Sequence, residues 1–169
     1  MHNNTLNNEE SPRLVGLKAR LDQAELDYTI LVHDQNIASA QDGAQTGLGG
    51  LSAMAPTFIL RTEAGYLAAI VRGDTRIAYK KIKQKLGLKD VSLANPEQVK
   101  QLTGAEVGYV SLVNDGLNTI VDQRLLEVEV VFGGSGEPNH TLQINPQAVV
   151  RATQAQVFDF TELKDPPKG

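Results

Sequence analysis

Leucine recurs at positions 14, 17 and 21, the i, i+3, i+7 spacing of a buried helical stripe, and Ser11-Pro12 ahead of it supplies an N-cap and a first helical residue. A helix is expected to about residue 26. The apolar run 28–32 predicts a strand ending at His33-Asp34, and Ser39 with Asp42 three residues on predicts a capped, Ala-rich helix ending near Gly47. The densest signals lie at 56–87. Residues 57–62 and 66–72 flank Glu63-Ala64-Gly65 and predict a β-hairpin. After Gly73 the period changes: Tyr79, Ile82 and Leu86 share one helical face, Lys80, Lys81, Lys83 and Lys85 take the others, and Gly87 stops the helix.

Beyond it the pattern predicts a strand at 91–93, a helix from Asn95-Pro96 to Thr103-Gly104, and a strand or strand-like loop at 107–114. A turn at Asn114-Asp115-Gly116 precedes a strand at 118–121, and Asp122 caps a single helical turn through Leu126. Strands at 128–132 and 140–144 are joined by a Gly-rich loop at 133–136. Asn145-Pro146 opens a helix to about Thr153, and a strand at 156–160 closes the sheet. Strands and helices interleave without strict βαβ alternation, which predicts an α+β single domain: a curved mixed β-sheet partly covered by helices. Residues 1–10 and 163–169 lack apolar periodicity and are expected as tails, the first disordered, leaving 11–162 as the domain.

Composition narrows the class. With 41% hydrophobic and 21% charged residues, no apolar run near the ~18 of a spanning helix and a polar N-terminal stretch, a cytoplasmic protein without a membrane partner is expected. The absence of cysteine excludes disulfides, thiolate metal sites and a Cys nucleophile, and three histidines far apart show no zinc spacing, so neither metal nor cofactor is expected. The net charge of −4 hides a patch: residues 72–89 carry seven basic side chains against Asp74 alone, a local +6. Arg72, Arg76, Lys80, Lys81 and Lys83 are its candidate phosphate contacts, although charge alone also fits a solvated helix face.

Several residues could carry chemistry. His33 ends a strand, where loops often hold functional groups. His140 starts a strand after the Gly-rich loop and could act as acid or base, or serve as a backbone-bonded structural histidine. Ser111 has a hydroxyl but no adjacent base in sequence, so a turn role competes. Asp122 fits a helix cap at least as well as an acid. The amides of Gly133 and Gly134 could form an anion nest, and without a following Gly-Lys-Ser/Thr the loop is no nucleotide P-loop.

The central stretch, with Thr57, Phe58 and Ile59 opening a hairpin and an apolar-Lys-Lys-apolar helix ending in Leu86-Gly87, resembles the YbaK/prolyl-tRNA-synthetase-associated domains, which hydrolyse mischarged aminoacyl-tRNA. Three further blocks follow in the family's order: SLANPEQVKQLTGAEVG at 92–108, TIVDQRLL at 119–126 and FGGSGEPNHTLQI at 132–144. The resemblance covers roughly residues 28–160. It implies an editing-domain fold, hydrolysis of the aminoacyl ester, the tRNA acceptor end as partner with an aminoacyl-tRNA synthetase as a second, and no role for DNA. On this resemblance the substrate site comprises His33, Pro56, Thr57, Gly108, Ser111, Asp122, Gly133 and Gly134, with Ser111 and His140 as candidate catalytic groups and the basic patch as tRNA contact. Members carry a lysine before the Thr strand that binds or polarises the ester junction. Here Pro56 stands in its place, with neither charge nor backbone donor, and Leu112 stands where many members have proline. Two readings follow: a stand-alone, trans-acting deacylase that uses other groups, or a non-catalytic tRNA or amino-acid binding module of the same fold.

Overall fold

The computed structural model describes residues 11–37, 39–45 and 49–164; the tails expected at 1–10 and 165–169, and the helix end expected at Gly47, lie outside the described residues. Ser11 Oγ accepts the Leu14 amide at 3.2 Å and Pro12 takes the first helical position, starting α1 (Pro12–Gln23). Its Leu14, Leu17 and Leu21 are buried, each contributing roughly 1.5–3 kcal/mol of apolar burial. Next come β1 (Tyr28–Val32), α2 (Ala40–Gln45), a 3-10 turn (Leu51–Ala53), β2 (Met54–Ala55), the hairpin β3 (Thr57–Thr62) and β4 (Gly65–Ile70), β5 (Thr75–Ile77) and α3 (Tyr79–Leu86). Gly87 ends α3 at φ 68°, a left-handed conformation in which glycine meets no Cβ penalty. The chain continues through β6 (Val91–Leu93), α4 (Pro96–Thr103), β7 (Asn118–Asp122), a second 3-10 turn (Gln123–Glu127), β8 (Val131–Gly134), β9 (His140–Ile144), α5 (Pro146–Thr153), β10 (Gln156–Phe158) and β11 (Thr161–Leu163).

The class is α+β, with the strands divided among three sheets. One has the order β1-β9-β8-β2, a second β10-β7-β4-β3-β6, and β11 pairs with β5 as a two-stranded ladder. In the second sheet β4 runs antiparallel to β3 but parallel to β7, which makes the sheet mixed. The stripe of α1 and Val149 of α5 pack with Val131, Leu142 and Ile144 in one core. A second core holds Leu60, Val71, Ile82, Ile120, Phe158 and Phe160, so α3 is anchored by Ile82 while its lysines stay outside. Among the described residues no helix is long and apolar enough to cross a membrane.

Three points beyond the sequence reading have physical causes. The strand expected at 128–132 is shifted to β8, so Gly133 and Gly134 belong to a ladder opposite Leu142 and Thr141. Residues 110–112 lie directly on that strand: a Cβ on Gly133 would stand 2.6 Å from the Leu112 side chain, and one on Gly134 would collide with the Val110 carbonyl oxygen. Close approach, not loop propensity, sets these glycines. Second, of the two forms expected for 107–114 the loop is present and not the strand, held by the Leu112 amide donating to Gly134 O at 3.0 Å. Third, β5 and β11 are too short to show a period, and pairing extends to Lys164, whose amide donates to Asp74 O at 3.0 Å.

Candidate substrate cavity

Segments distant in sequence enclose a cavity of about 510 Å³. Ile37, Ala40, Gly43 and Leu51 form one wall, and the β2–β3 junction from Met54 through Phe58 runs along it. Val107, Gly108, Tyr109 and Val110 face the cavity from their loop, while Phe132, Gly133, Gly134, Glu137, His140 and Thr141 close it from β8 and β9. Gly73, Thr75 and Lys164 complete the lining. A largely apolar cavity with a few placed polar groups is the usual form of a small-ligand site.

Six of the residues singled out from sequence meet in this lining: Pro56, Thr57, Gly108, Gly133, Gly134 and His140. Pro56 links β2 to β3, and its carbonyl accepts the Val71 amide at 3.2 Å. Beside it Thr57 Oγ1 is buried without a hydrogen-bond partner among the described residues. A buried hydroxyl left unpaired costs about 1–3 kcal/mol. Gly108 has φ 97°, which folds the 107–110 loop toward the lining. His140 Nδ1 lies 2.9 Å from Asn139 Oδ1, which fixes the ring. The amides of Gly133 and Gly134 do not form the expected anion nest, because both residues sit in the β8–β9 ladder without the left-handed turn a nest requires.

The other three are not part of the lining. His33 Nε2 is 2.8 Å from the hydroxyl of Thr141, a lining residue. Ser111 is 8% exposed; its Oγ accepts the Val113 amide at 3.1 Å and its carbonyl accepts Asn114 Nδ2 at 2.7 Å. Asp122 is fully buried and accepts from Phe160 N (2.8 Å), Thr161 Oγ1 (2.8 Å) and Arg124 N (3.2 Å). Those bonds tie the end of β7 to the β10–β11 corner.

Sequence reasoning missed Glu137, Thr141 and Lys164 in the lining. Thr141 was within reach, since it follows His140 in a strand. Glu137 is a carboxylate in a partly desolvated wall: burial opposes its ionisation, but the Ser11 hydroxyl, the Arg13 guanidinium at 2.8 Å and nearby His140 hold it below its ordinary value of 4.5. Lys164 reaches the cavity only through the β5–β11 pairing, for which no local signal exists.

The basic stretch is less uniform than its local charge. Arg72 is fixed by Asp74 at 2.7 and 3.1 Å and meets Glu127 at 3.4 Å, and the Asp74 hydrogen bond raises its already high pKa. Lys81 bonds both Asp159 oxygens at 3.1 Å and Thr161 O at 3.0 Å. Arg76 and Lys80 are exposed and Lys83 is half-buried. Gly73 and Thr75, which line the cavity, sit between Arg72 and Arg76, so the basic stretch adjoins the cavity along the chain.

Comparison with known proteins places residues 34–152 within the model of the aminoacyl-tRNA editing domain. The proline–tRNA ligase of Pelotomaculum thermopropionicum is 37% identical over 92 residues, which are 53% of this chain and 16% of that enzyme. That of Solidesulfovibrio magneticus is 31% identical over 115 residues, 67% of this chain and 19% of the enzyme, so the chain spans less than one-fifth of the length of these relatives. Among solved structures, a hypothetical protein superimposes with a TM-score of 0.79 at 29% identity, covering 86% of this chain and 99% of its own. A candidate trans-editing enzyme for prolyl-tRNA synthetase gives 0.79 at 24% identity, covering 91% and 99%, which is a likeness of fold.

Proposed function

The chain belongs to the aminoacyl-tRNA editing domain family, and from that membership we propose that it hydrolyses, in trans, the ester joining a mismatched amino acid to the terminal ribose of tRNA. The observation that carries the reading is the Thr57 hydroxyl, buried in the cavity wall with no hydrogen-bond partner among the described residues. Folding gains nothing from leaving it so, whereas rotation of the Thr57 side chain toward the cavity would let a substrate oxygen supply the missing bond.

An aminoacyl ester is activated, so the site needs no covalent nucleophile; holding the ester and a water in place and stabilising the developing oxyanion suffice. In this reading Thr57 donates to the ester, Gly133 and Gly134 let the 110–112 loop pack close and so shape the wall that holds the amino acid, Gly108 turns that loop toward it, and His140, its ring held by Asn139, takes the proton of the attacking water. Ser111 and Asp122 act outside the lining, one holding the 111–114 turn and the other the β7 end. His33 orients Thr141. Arg76, Lys80 and Lys83 meet the acceptor stem, and a proline-specific synthetase is the partner that the matched relatives suggest.

Pro56 favours a second reading, a binding module without turnover, because it brings no charge or donor to the junction. Thr57→Val separates the roles. The proposal expects T57V to melt at or above the wild-type temperature, since it removes an unpaired hydroxyl, and to lose at least tenfold in kcat/KM for deacylation. Unchanged kcat/KM would overturn the role of Thr57, and salt-dependent tRNA binding without turnover by the wild type would establish the binding module.

A further inference from the structure

We infer that Lys164 is the phosphate anchor of the cavity: its ammonium binds the phosphodiester of the 3′-terminal nucleotide while the aminoacyl group enters the cavity. This rests on the editing reading above. Among the described residues Lys164 is the one lysine or arginine in the cavity lining, and it is solvent-exposed, which puts its charge at the mouth rather than the floor. It lies beyond the family-matched residues 34–152.

Its position is set by backbone pairing. Leu163 stands opposite Thr75 in the β11–β5 ladder, and the Lys164 amide continues that ladder to Asp74 O at 3.0 Å. The side chain then lies against Gly73, where Nζ donates to the carbonyl oxygen at 3.3 Å, a long bond that uses one of its three donors. Gly73 cannot move away to accommodate it: a Cβ there would stand 2.5 Å from Leu51 O, so that backbone is packed against the 3-10 turn. Asp74, which follows Gly73, is taken by Arg72 in a two-point contact. Among the described residues no carboxylate pairs with Lys164. An ammonium with spare donors and no carboxylate partner among the described residues, at the mouth of a largely apolar cavity, selects an anion just outside it, and in an aminoacylated nucleotide that anion is the phosphate next to the terminal ribose.

The test compares binding of 3′-aminoacylamino-3′-deoxyadenosines, carrying each aliphatic amino acid, with their 5′-monophosphates, by wild type, Lys164→Gln and Lys164→Arg. The wild type should prefer the phosphorylated member of a pair by about tenfold, the effect of one charge-assisted hydrogen bond. K164Q should lose that preference while binding the unphosphorylated analogue as before, and K164R should keep it. Equal loss for both analogues in K164Q would overturn the phosphate contact in favour of a contact to the ester. An undiminished preference in K164Q would exclude Lys164 and leave the editing reading standing, whereas a wild type that binds no analogue would overturn that reading and this inference together.

Discussion

Replacing Pro56 by Lys removes no hydrogen bond, because proline donates none and the carbonyl that accepts from Val71 is retained. The variant should fold with a loss of about 0.4–1 kcal/mol through the less restricted unfolded chain. It would place a second ammonium in a cavity that already holds Lys164, and like charges there repel, so P56K should deacylate no faster than the wild type. A large gain in single-turnover rate would mean that the wild type lacks a working cation and would favour the binding module. At Asp122 the expectation is reversed. D122A strands the Phe160 amide and the Thr161 hydroxyl in a fully buried corner, so urea denaturation should show a loss of about 3 kcal/mol, with kcat/KM per folded molecule little changed. A marginal stability change with lost activity would instead put Asp122 in direct contact with substrate.

At the scale of elements, α3 divides its lysines between structure and partner. Lys81 ties the helix to the 159–161 corner, so K81Q belongs with stability variants, whereas among the described residues neither the exposed Lys80 nor the half-buried Lys83 has an acid partner. K80Q/K83Q should weaken tRNA binding and lower the slope of log K against log salt by about 0.9 per lost phosphate contact, on the B-DNA value. An unchanged slope would make these lysines a solvated face. Glu137 latches α1 through Arg13 to the β8–β9 connection. Its folded pKa lies below the ordinary 4.5, so the latch contributes fully above pH 4.5 and is lost as pH falls through the folded value. With Arg13 partly exposed, its worth is about 1 kcal/mol. Urea melts should therefore separate the wild type from E137Q at pH 6.5 and bring them together as the pH falls below the folded value; a constant gap would remove the ionised latch.

Across the whole molecule, what the sequence displays and what it hides follow from the range of the interactions. Caps and stripes are local, so α1, α3, α4 and α5 were legible from Ser11-Pro12, Gly87, Asn95-Pro96 and Asn145-Pro146. Thr57–Thr62 and the turn at 63–64 were equally plain. The cavity was legible only in part: Pro56, Thr57, Gly108, Gly133, Gly134 and His140 line it, while His33, Ser111 and Asp122 do not, because side-chain direction depends on packing. Lys164 was invisible, its place being fixed by a three-residue ladder to a strand some ninety positions away. The counter-ions Asp159 and Glu127 were likewise outside any local charge count. All of this converges on one cavity with one task, and the most direct measurement is release of amino acid from a panel of mischarged tRNAs by the purified full chain. The account predicts hydrolysis above the spontaneous rate for at least one mischarged tRNA, and spontaneous rates throughout the panel with no tRNA binding would contradict it.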